Sequence, residues 1–401
     1  MTKLETLINE LCPNGVEYKT IPELFNTRNG YTPSKSKKEY WENGTIPWFR
    51  MEDIRENGHI LSKATQYVSE SAVKGTLFPE NSIIVATSAT IGEHALITVP
   101  SLANQRFTYL MLKDEYKNRV NMMYIYYYCF KLDGYCKECL NQGNFASVDM
   151  KKFAKFKIPV PPLEVQAEIV KILDNFTELT AELTAELTAR KKQYEYYASK
   201  LFLDTDASEI EMSELADFVY GFTDTAKETG DARFIRITDI NEQGYLKQEN
   251  QKYITLTEEA KKSLLQKGDI IMARTGATYG KTLYFDSDYP SVFASFLIKI
   301  MPNDRLLSRY YWHFTKTPLY WEQANKLVTT GGQPQFNTPA VKKVKIPVPP
   351  LSEQERIVSI LDRFDKLCND ISEGLPAEIQ ARRKQYEYYR DKLLTFKELT
   401  V

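Results

Sequence analysis

The run GATYGKT (276–282) approaches a phosphate-binding loop, but only three residues separate its glycines where such a loop has four. It also lies outside any evident strand–loop–helix nucleotide fold. Cys136 and Cys139, with Cys129 seven residues earlier, have the spacing of half a zinc site. No second Cys or His pair follows at finger-like spacing, and the aromatic, helical neighbourhood predicts buried free thiols instead. His59, His94 and His313 form no metal or triad pattern. No Asn-Pro-Pro-aromatic or Asp-Pro-Pro-Tyr segment, the usual amino-methyltransferase loop, occurs. A catalytic cluster is therefore not expected, and no cofactor or metal is assigned to this chain.

Composition narrows the class further. Across 401 residues, 52 Lys and Arg face 53 Asp and Glu, a net charge of -1. That balance argues against indiscriminate coating of nucleic acid, which rests on neutralising phosphates. It leaves room for local basic patches and for a partner that supplies positive surface. No apolar run approaches the roughly 18 residues of a membrane span. The start, MTKLETLINELCPNGVEYK, lacks the long apolar core of a signal peptide. Five cysteines, an odd number, fit a reducing cytosol. The expectation is a cytoplasmic protein with no membrane segment.

The elements that must position any site repeat. IPVPPLEVQAEIVKILDNF (158–176) and IPVPPLSEQERIVSILDRF (346–364) are identical at thirteen of nineteen positions, offset by 188. ARKKQYEYYASKL (189–201) and ARRKQYEYYRDKL (381–393) share ten of thirteen, offset by 192. Ahead of each block, WFRMEDI (48–54) parallels FIRITDI (234–240), and IIVATSAT (83–90) parallels IIMARTGAT (270–278). Residues 164–202 contain no Gly or Pro, and apolar residues from Ile169 to Leu201 recur at steps of three, four and seven. One long helix follows, about 58 Å at 1.5 Å per residue, which needs a partner helix to bury its stripe. The second copy supplies one, interrupted at Gly374 and Pro376, and an antiparallel pair about a pseudo-twofold is expected. Its middle, TELTAELTAELTA (177–189), is good helix-forming filler or a ruler in which each TAEL adds about 6 Å. Short β-rich runs such as SIIVAT (82–87) and FLIKI (296–300), with aromatic helical stretches, predict two α+β domains with mostly antiparallel sheets. The expected divisions are 1–157, a first domain with its N-terminal segment; 158–203, a helical spacer; 204–345, a second domain; and 346–401, a second helical region.

The duplicated IPVPPL…Q…I…IL…F blocks, each leading to a basic (R/K)KQYEYY segment, resemble the Type I restriction–modification specificity subunits, as does LCPNGVEY (11–18). The resemblance covers essentially the whole chain. It implies two target-recognition domains, each reading half of a split, asymmetric site in double-stranded DNA. The helices would set their separation and dock two copies of a methyltransferase subunit carrying S-adenosylmethionine, and a restriction and translocation subunit would complete the complex. The chain itself would be non-catalytic.

Two domains that read different bases should share residues that serve the fold or the phosphates and differ where bases are touched. Arg50 and Arg236 are shared, and each is a phosphate contact or a structural ion pair. In the first domain the differing candidates are Thr87, Ser88, Asn104, Gln105 and Arg106, with Phe293-Ala294-Ser295 as the counterparts of the last three. Gln142 and Asn144 in NQGNF (141–145) join them. In the second, Arg274, Tyr279 and Lys281 occupy a Gly-rich loop, and Gln333 and Gln335 lie in TTGGQPQFN (329–337). Arg bonds guanine bidentately, and Asn or Gln bonds adenine. The basic clusters 190–192 and 382–384 are a solvated helix face or a contact to partner or DNA backbone. A protein-binding scaffold and a stand-alone enzyme are the competing classes.

Overall fold

The computed structural model describes residues 2–141, 146–329, 331–370 and 374–399. The chain divides into two compact units: Met1–Thr180 with Arg382–Val401, and Ala181–Ala381. Neither unit is simply a domain followed by its own helix.

In the first unit a five-stranded sheet has the order Phe25–Asn29, Phe107–Leu112, Ser82–Ala86, His94–Ile97, Ile60–Leu61. All neighbours are antiparallel except the last pair. Successive strand residues point to opposite faces. Here both faces are covered, so SIIVA is buried throughout instead of alternating. Ile83 and Val85 enter a core with the helix Met122–Glu138, whereas Ile84 and Ala86 enter another with Trp48, Phe78 and Phe107. A three-stranded sheet, Tyr67–Val68, Ile46–Phe49, Leu102–Ala103, closes that second side.

The second unit repeats the plan. Its four-stranded antiparallel sheet runs Ala216–Tyr220, Leu297–Pro302, Ile270–Ala273, Thr282–Tyr284. Ile270 and Met272 face one core, and Ile271 and Ala273 the other. Tyr253–Ile254, Ala232–Ile235 and Ser291–Phe293 form the companion sheet. Where the first unit has one helix of seventeen residues, the second has two, Ser308–Phe314 and Pro318–Leu327. Pro318 cannot continue a helix from the preceding segment, but it suits a first turn.

The expected long helix spans Leu163–Leu203, and its repeat is split into Leu351–Asn369 and Leu375–Leu393. Each repeated motif carries a buried glutamine in the first turn of its helix. Gln166 donates to Arg119 O (2.8 Å) and Pro161 O (2.6 Å), and accepts from Asn121 N (2.8 Å). Gln354 does the same with Arg305 O (2.8 Å), Pro349 O (2.9 Å) and Leu307 N (2.9 Å). Both are wholly buried, so an apolar replacement would orphan three backbone groups. The shared glutamine thereby fastens each helix start to its own domain.

The far ends of the helices are used differently. Phe202 is buried against Tyr310 at 4.8 Å in the second unit, the domain that follows it in the chain. Its repeat counterpart Leu394 is buried in the first unit, more than two hundred residues from most of its neighbours. Tyr18 Oη donates to Phe396 O (2.9 Å), Lys131 Nζ to Leu394 O (3.0 Å), and Val16 bridges Glu398. Within the first unit Phe176 stacks on Tyr389 at 5.6 Å, and within the second Phe364 lies 6.5 Å from Tyr197. These are the same pair of repeat positions, met reciprocally. Among the described residues, no helix is long and apolar enough to cross a membrane.

Candidate DNA interface

Backbone hydrogen bonds place the loop tips of the two domains in register. Thr87 N donates to Arg106 O (3.0 Å), as Arg274 N does to Phe296 O (3.1 Å). Val148 N donates to Thr87 O (2.9 Å), as Phe336 N does to Arg274 O (2.8 Å). Asn104 N reaches Phe49 O, as Ala294 N reaches Ile235 O. Thr87 and Arg274 are therefore one framework position. The counterparts of Asn104-Gln105-Arg106 are Ala294-Ser295-Phe296, one residue beyond the run that the sequence suggests. The weak similarity there carries no gap signal, and only the parallel pairing Phe49↔Ala103 and Ile235↔Phe293 fixes the count. Glycine sits beside each loop because the backbone comes too close for a side chain. A Cβ on Gly30 would overlap Ala103 O and Asn104 O, and one on Gly221 would overlap Phe293 O and Ala294 O.

In the first domain Asn104, Gln105 and Arg106 line a cleft of about 710 Å³ with Thr32, Trp41, Trp48 and Gln66, the basic Lys35, Lys38 and Arg50, and the acidic Glu42 and Glu52. Asn104 Oδ1 accepts from Arg106 N (3.0 Å), which shapes the turn, and Thr32 Oγ1 donates to Gln105 Oε1. Arg106 is exposed. Trp41 and Trp48 meet edge to face at 5.0 Å in the wall. Lys35 and Lys38 were not singled out in the sequence. The basic run SKSKK (34–38) was the available signal, since a cluster of like charge beside aromatic residues suits a phosphate-lined groove. Thr87 is buried and shares a hydrogen-bond chain with Thr108 (2.9 Å) and Asn29. Ser88 bridges Ser147. Gln142 and Asn144 lie outside the described residues.

In the second domain Arg274, Gln333 and Gln335 come together. Gln335 bridges both Thr275 and Thr329, and Gly276 N donates to Pro334 O (3.0 Å). The Gly-rich loop disperses its other two candidates. Tyr279 Oη donates to Asn325 Oδ1 (2.7 Å) on the helix Pro318–Leu327. Lys281 lines a different cavity with Lys191, Tyr194, Glu242 and Lys316, where burial lowers its pKa. The loop is followed by the strand Thr282–Tyr284, not a helix, so nothing here resembles a nucleotide cradle.

The shared arginines are tied to their own turns. Arg236 forms a two-pronged contact with Asp239 (2.9 and 2.8 Å), and that bond raises its pKa. Arg50 Nη2 donates to Thr65 Oγ1 (2.8 Å) while the Arg50 N–H meets Asp53 (2.7 Å), and its buried Nε lies 3.9 Å from Glu52 Oε2 with no hydrogen-bond partner. The geometry of Arg236 is that of a structural ion pair, and that of Arg50 leaves a donor to spare. All five cysteines are buried and free. Among the described residues, no group of three or more His, Cys, Asp or Glu could hold a metal ion.

The helical junction within the second unit is polar. His313 lies between Tyr194 Oη (3.1 Å) and Asp362 Oδ1 (2.7 Å), and Arg309 Nε also donates to Asp362 (2.8 Å). Burial drives the His313 pKa down to about 4. At the matching place in the first unit, Tyr127 donates to Asp174 (2.6 Å).

Comparison with known proteins settles the family. The model of the Type I restriction modification DNA specificity domain matches residues 13–190 and again 207–381. The chain belongs to that family. It is 40% identical over 382 residues to the EcoprrI Type I restriction enzyme specificity subunit of Escherichia coli, covering 90% of each. A putative type I specificity subunit of Haemophilus influenzae is 33% identical over 400 residues, covering 95% of this chain and 96% of that one. Among solved structures, a chain from a study of complex assembly and conformational transition in a type I R-M system aligns with TM-score 0.67 at 14% identity. That match covers 95% of this chain and 98% of the other. The M. genitalium Type-I S subunit aligns with TM-score 0.54 at 16% identity, covering 95% and 96%. The family is one of DNA specificity and not of catalysis, and the fold is its mixed helix-and-sheet arrangement, present twice.

Proposed function

We propose that each domain of this specificity subunit reads one half of a split, asymmetric site in double-stranded DNA. The observation that carries the reading is one framework with two chemistries at its tip. Matching backbone bonds hold Arg106 and Phe296 at equivalent, exposed places, yet one side chain is a guanidinium and the other an apolar ring. A duplicated reader with divergent tips suits a site whose halves differ.

The helices Leu163–Leu203, Leu351–Asn369 and Leu375–Leu393 set the spacing and dock two copies of a methyltransferase subunit. Support for a partner used twice comes from Tyr196 and Tyr388, repeat equivalents left 63% and 62% exposed. Identical aromatic side chains held in water at matching positions suit one kind of partner surface. That partner carries S-adenosylmethionine, and a restriction subunit completes the assembly, as the relatives' place in Type I restriction enzymes suggests. The repeat TAEL serves as a ruler, each unit adding about 6 Å of helix, on the scale of one or two base-pair steps.

The test is methylation sequencing of DNA from cells expressing the chain with its methyltransferase partner, beside a culture lacking residues 181–184. A split motif whose spacer shortens while both halves persist is expected. A continuous motif indifferent to the deletion, or methylation that appears without this chain, would refute the proposal.

A further inference from the structure

The geometry points to a three-layer reading element in the second domain: Arg274 between Tyr220 and Phe296, with guanine taken by the guanidinium and a neighbouring thymine methyl by Phe296. This rests on the proposal that each domain reads half of a split site.

Arg274 Cζ lies 5.3 Å from the ring centre of Tyr220 and 5.7 Å from that of Phe296. Both distances are within the range at which a cation is attracted to a ring face. Its Nε donates to Ser295 O (3.0 Å) and its Nη1 to Asn337 Oδ1 (3.1 Å), and Asn337 Nδ2 in turn donates to Gln335 Oε1 (2.9 Å). A long side chain is thereby fixed before any ligand arrives, which removes most of the ordering cost of binding. These bonds use two of the five guanidinium N–H groups and leave three. Guanine offers the matching pair of acceptors, N7 and O6, in the major groove.

Phe296 is the unusual member. It is 56% exposed, at the tip of the loop whose first-domain counterpart carries Arg106. A single exposed apolar residue needs no explanation by itself. Here it borders a preorganised cation on a loop tip, beside Tyr220 at 46% exposure and the exposed Gln333 and Gln335. Apolar contact with the C5-methyl of thymine is the base-specific use open to such a ring. The first domain cannot read this way. At the place of Tyr220 it has Asn29, at Arg274 it has Thr87, and at Phe296 it has Arg106. Its reading element is polar throughout, so the two half-sites should differ in character as well as in order.

The experiment sequences methylated positions in cells carrying the full chain and its methyltransferase partner. The unaltered chain is measured first. Absence of a split motif there would sink the parent proposal, whatever the variants do. Given a split motif, Phe296→Ala should relax one base pair containing thymine in one half-site. Arg274→Lys should relax a G·C pair in the same half-site, by roughly tenfold or more in preference, the size of one lost two-pronged contact. The other half-site and the spacer should not change. An unaltered motif in both variants, relaxation in different half-sites, or relaxation at pairs of the wrong kind overturns the inference. Arg274→Ala also unties the loop from Asn337. Should that variant abolish methylation, Phe296→Ala decides the matter, because its side chain is largely outside the core.

Discussion

Replacing Leu394 by alanine should weaken the unit built from the opposite end of the chain. Leu394 is only 1% exposed and packs in the core that contains Leu4, Tyr124, Ile125 and Val165. Removing its buried branched end loses transfer free energy and leaves a cavity, together about 2–5 kcal/mol for a fully buried leucine. The backbone bridge of Val16 to Glu398 and the bond from Tyr18 to Phe396 hold the neighbouring chain in place, so little collapse should soften that value. Hydrogen exchange read by mass spectrometry separates the units. Amides of Ser82–Ala86 should exchange about a hundredfold faster in the variant, which corresponds to about 3 kcal/mol, if they open by unfolding of their unit. Amides of Ile270–Ala273, though nearer in sequence to residue 394, should be unaffected. Faster exchange in the second strand and not in the first would refute the division of the chain into these units.

Four other outcomes follow from the same structure. Phe202→Ala, the repeat counterpart, should reverse the pattern, speeding exchange at Ile270–Ala273 through loss of its contacts with Tyr310 and Phe314. Unfolding of the second unit should show an acid component from His313, whose folded pKa of about 4 lies below its ordinary value near 6.5. Between those values the unfolded chain binds more protons, so stability falls as pH drops through that window, by roughly 2–4 kcal/mol. Asp365, raised to about 7 by burial, acts with the opposite sign, so His313→Gln compared with the parent by denaturation at pH 4.5 and 7 isolates the histidine. Gly30→Ala should push the 103–106 loop outward, and methylation sequencing should show one half-site altered or lost with the other retained. Lys35→Ala with Lys38→Ala should weaken DNA binding by the assembled complex without changing the motif, and flatten the logarithmic salt dependence by about one to two units.

The sequence revealed most where one physical rule dominated. The long helix was legible because nothing between 164 and 202 breaks it and its apolar steps are regular. The fully buried strands were legible as short β-rich runs, and burial on both faces explains why they do not alternate. What could not be read was contact between segments far apart in the chain. Nothing local in DKLLTFKEL says that Leu394 completes the domain at the other end. Sequence similarity also misplaced the counterpart of the 104–106 loop by one residue. Register there is set by backbone pairing with Phe49 and Ile235, which leaves no mark on side-chain identity. Lys281 looked like a companion of Arg274 because both lie in one glycine-rich run. Two positive-φ glycines, Gly276 and Gly280, turn the chain between them and send Lys281 to another cavity.

Duplication separates what the fold requires from what recognition requires. Several buried polar residues kept in both copies have much to lose by change. Gln166 and Gln354 each satisfy three buried backbone groups, and Tyr124 and Tyr310 each donate from a buried hydroxyl to a proline carbonyl at the helix approach. Replacing any of these leaves unpaired polar atoms where water cannot reach them, at about 1–3 kcal/mol apiece. The exposed tip residues 106 and 296 carry no such burden. Thr87 and Arg274 take part in the same two backbone hydrogen bonds whatever their side chains. Position 106 or 296 is exposed in either copy, so arginine and phenylalanine are equally compatible with the framework. A scaffold with its constraints in the backbone and its freedom at the tips can change what it reads without losing how it folds. If each copy reads its own half-site, the differences between the copies, more than their resemblance, would hold the chemistry of recognition.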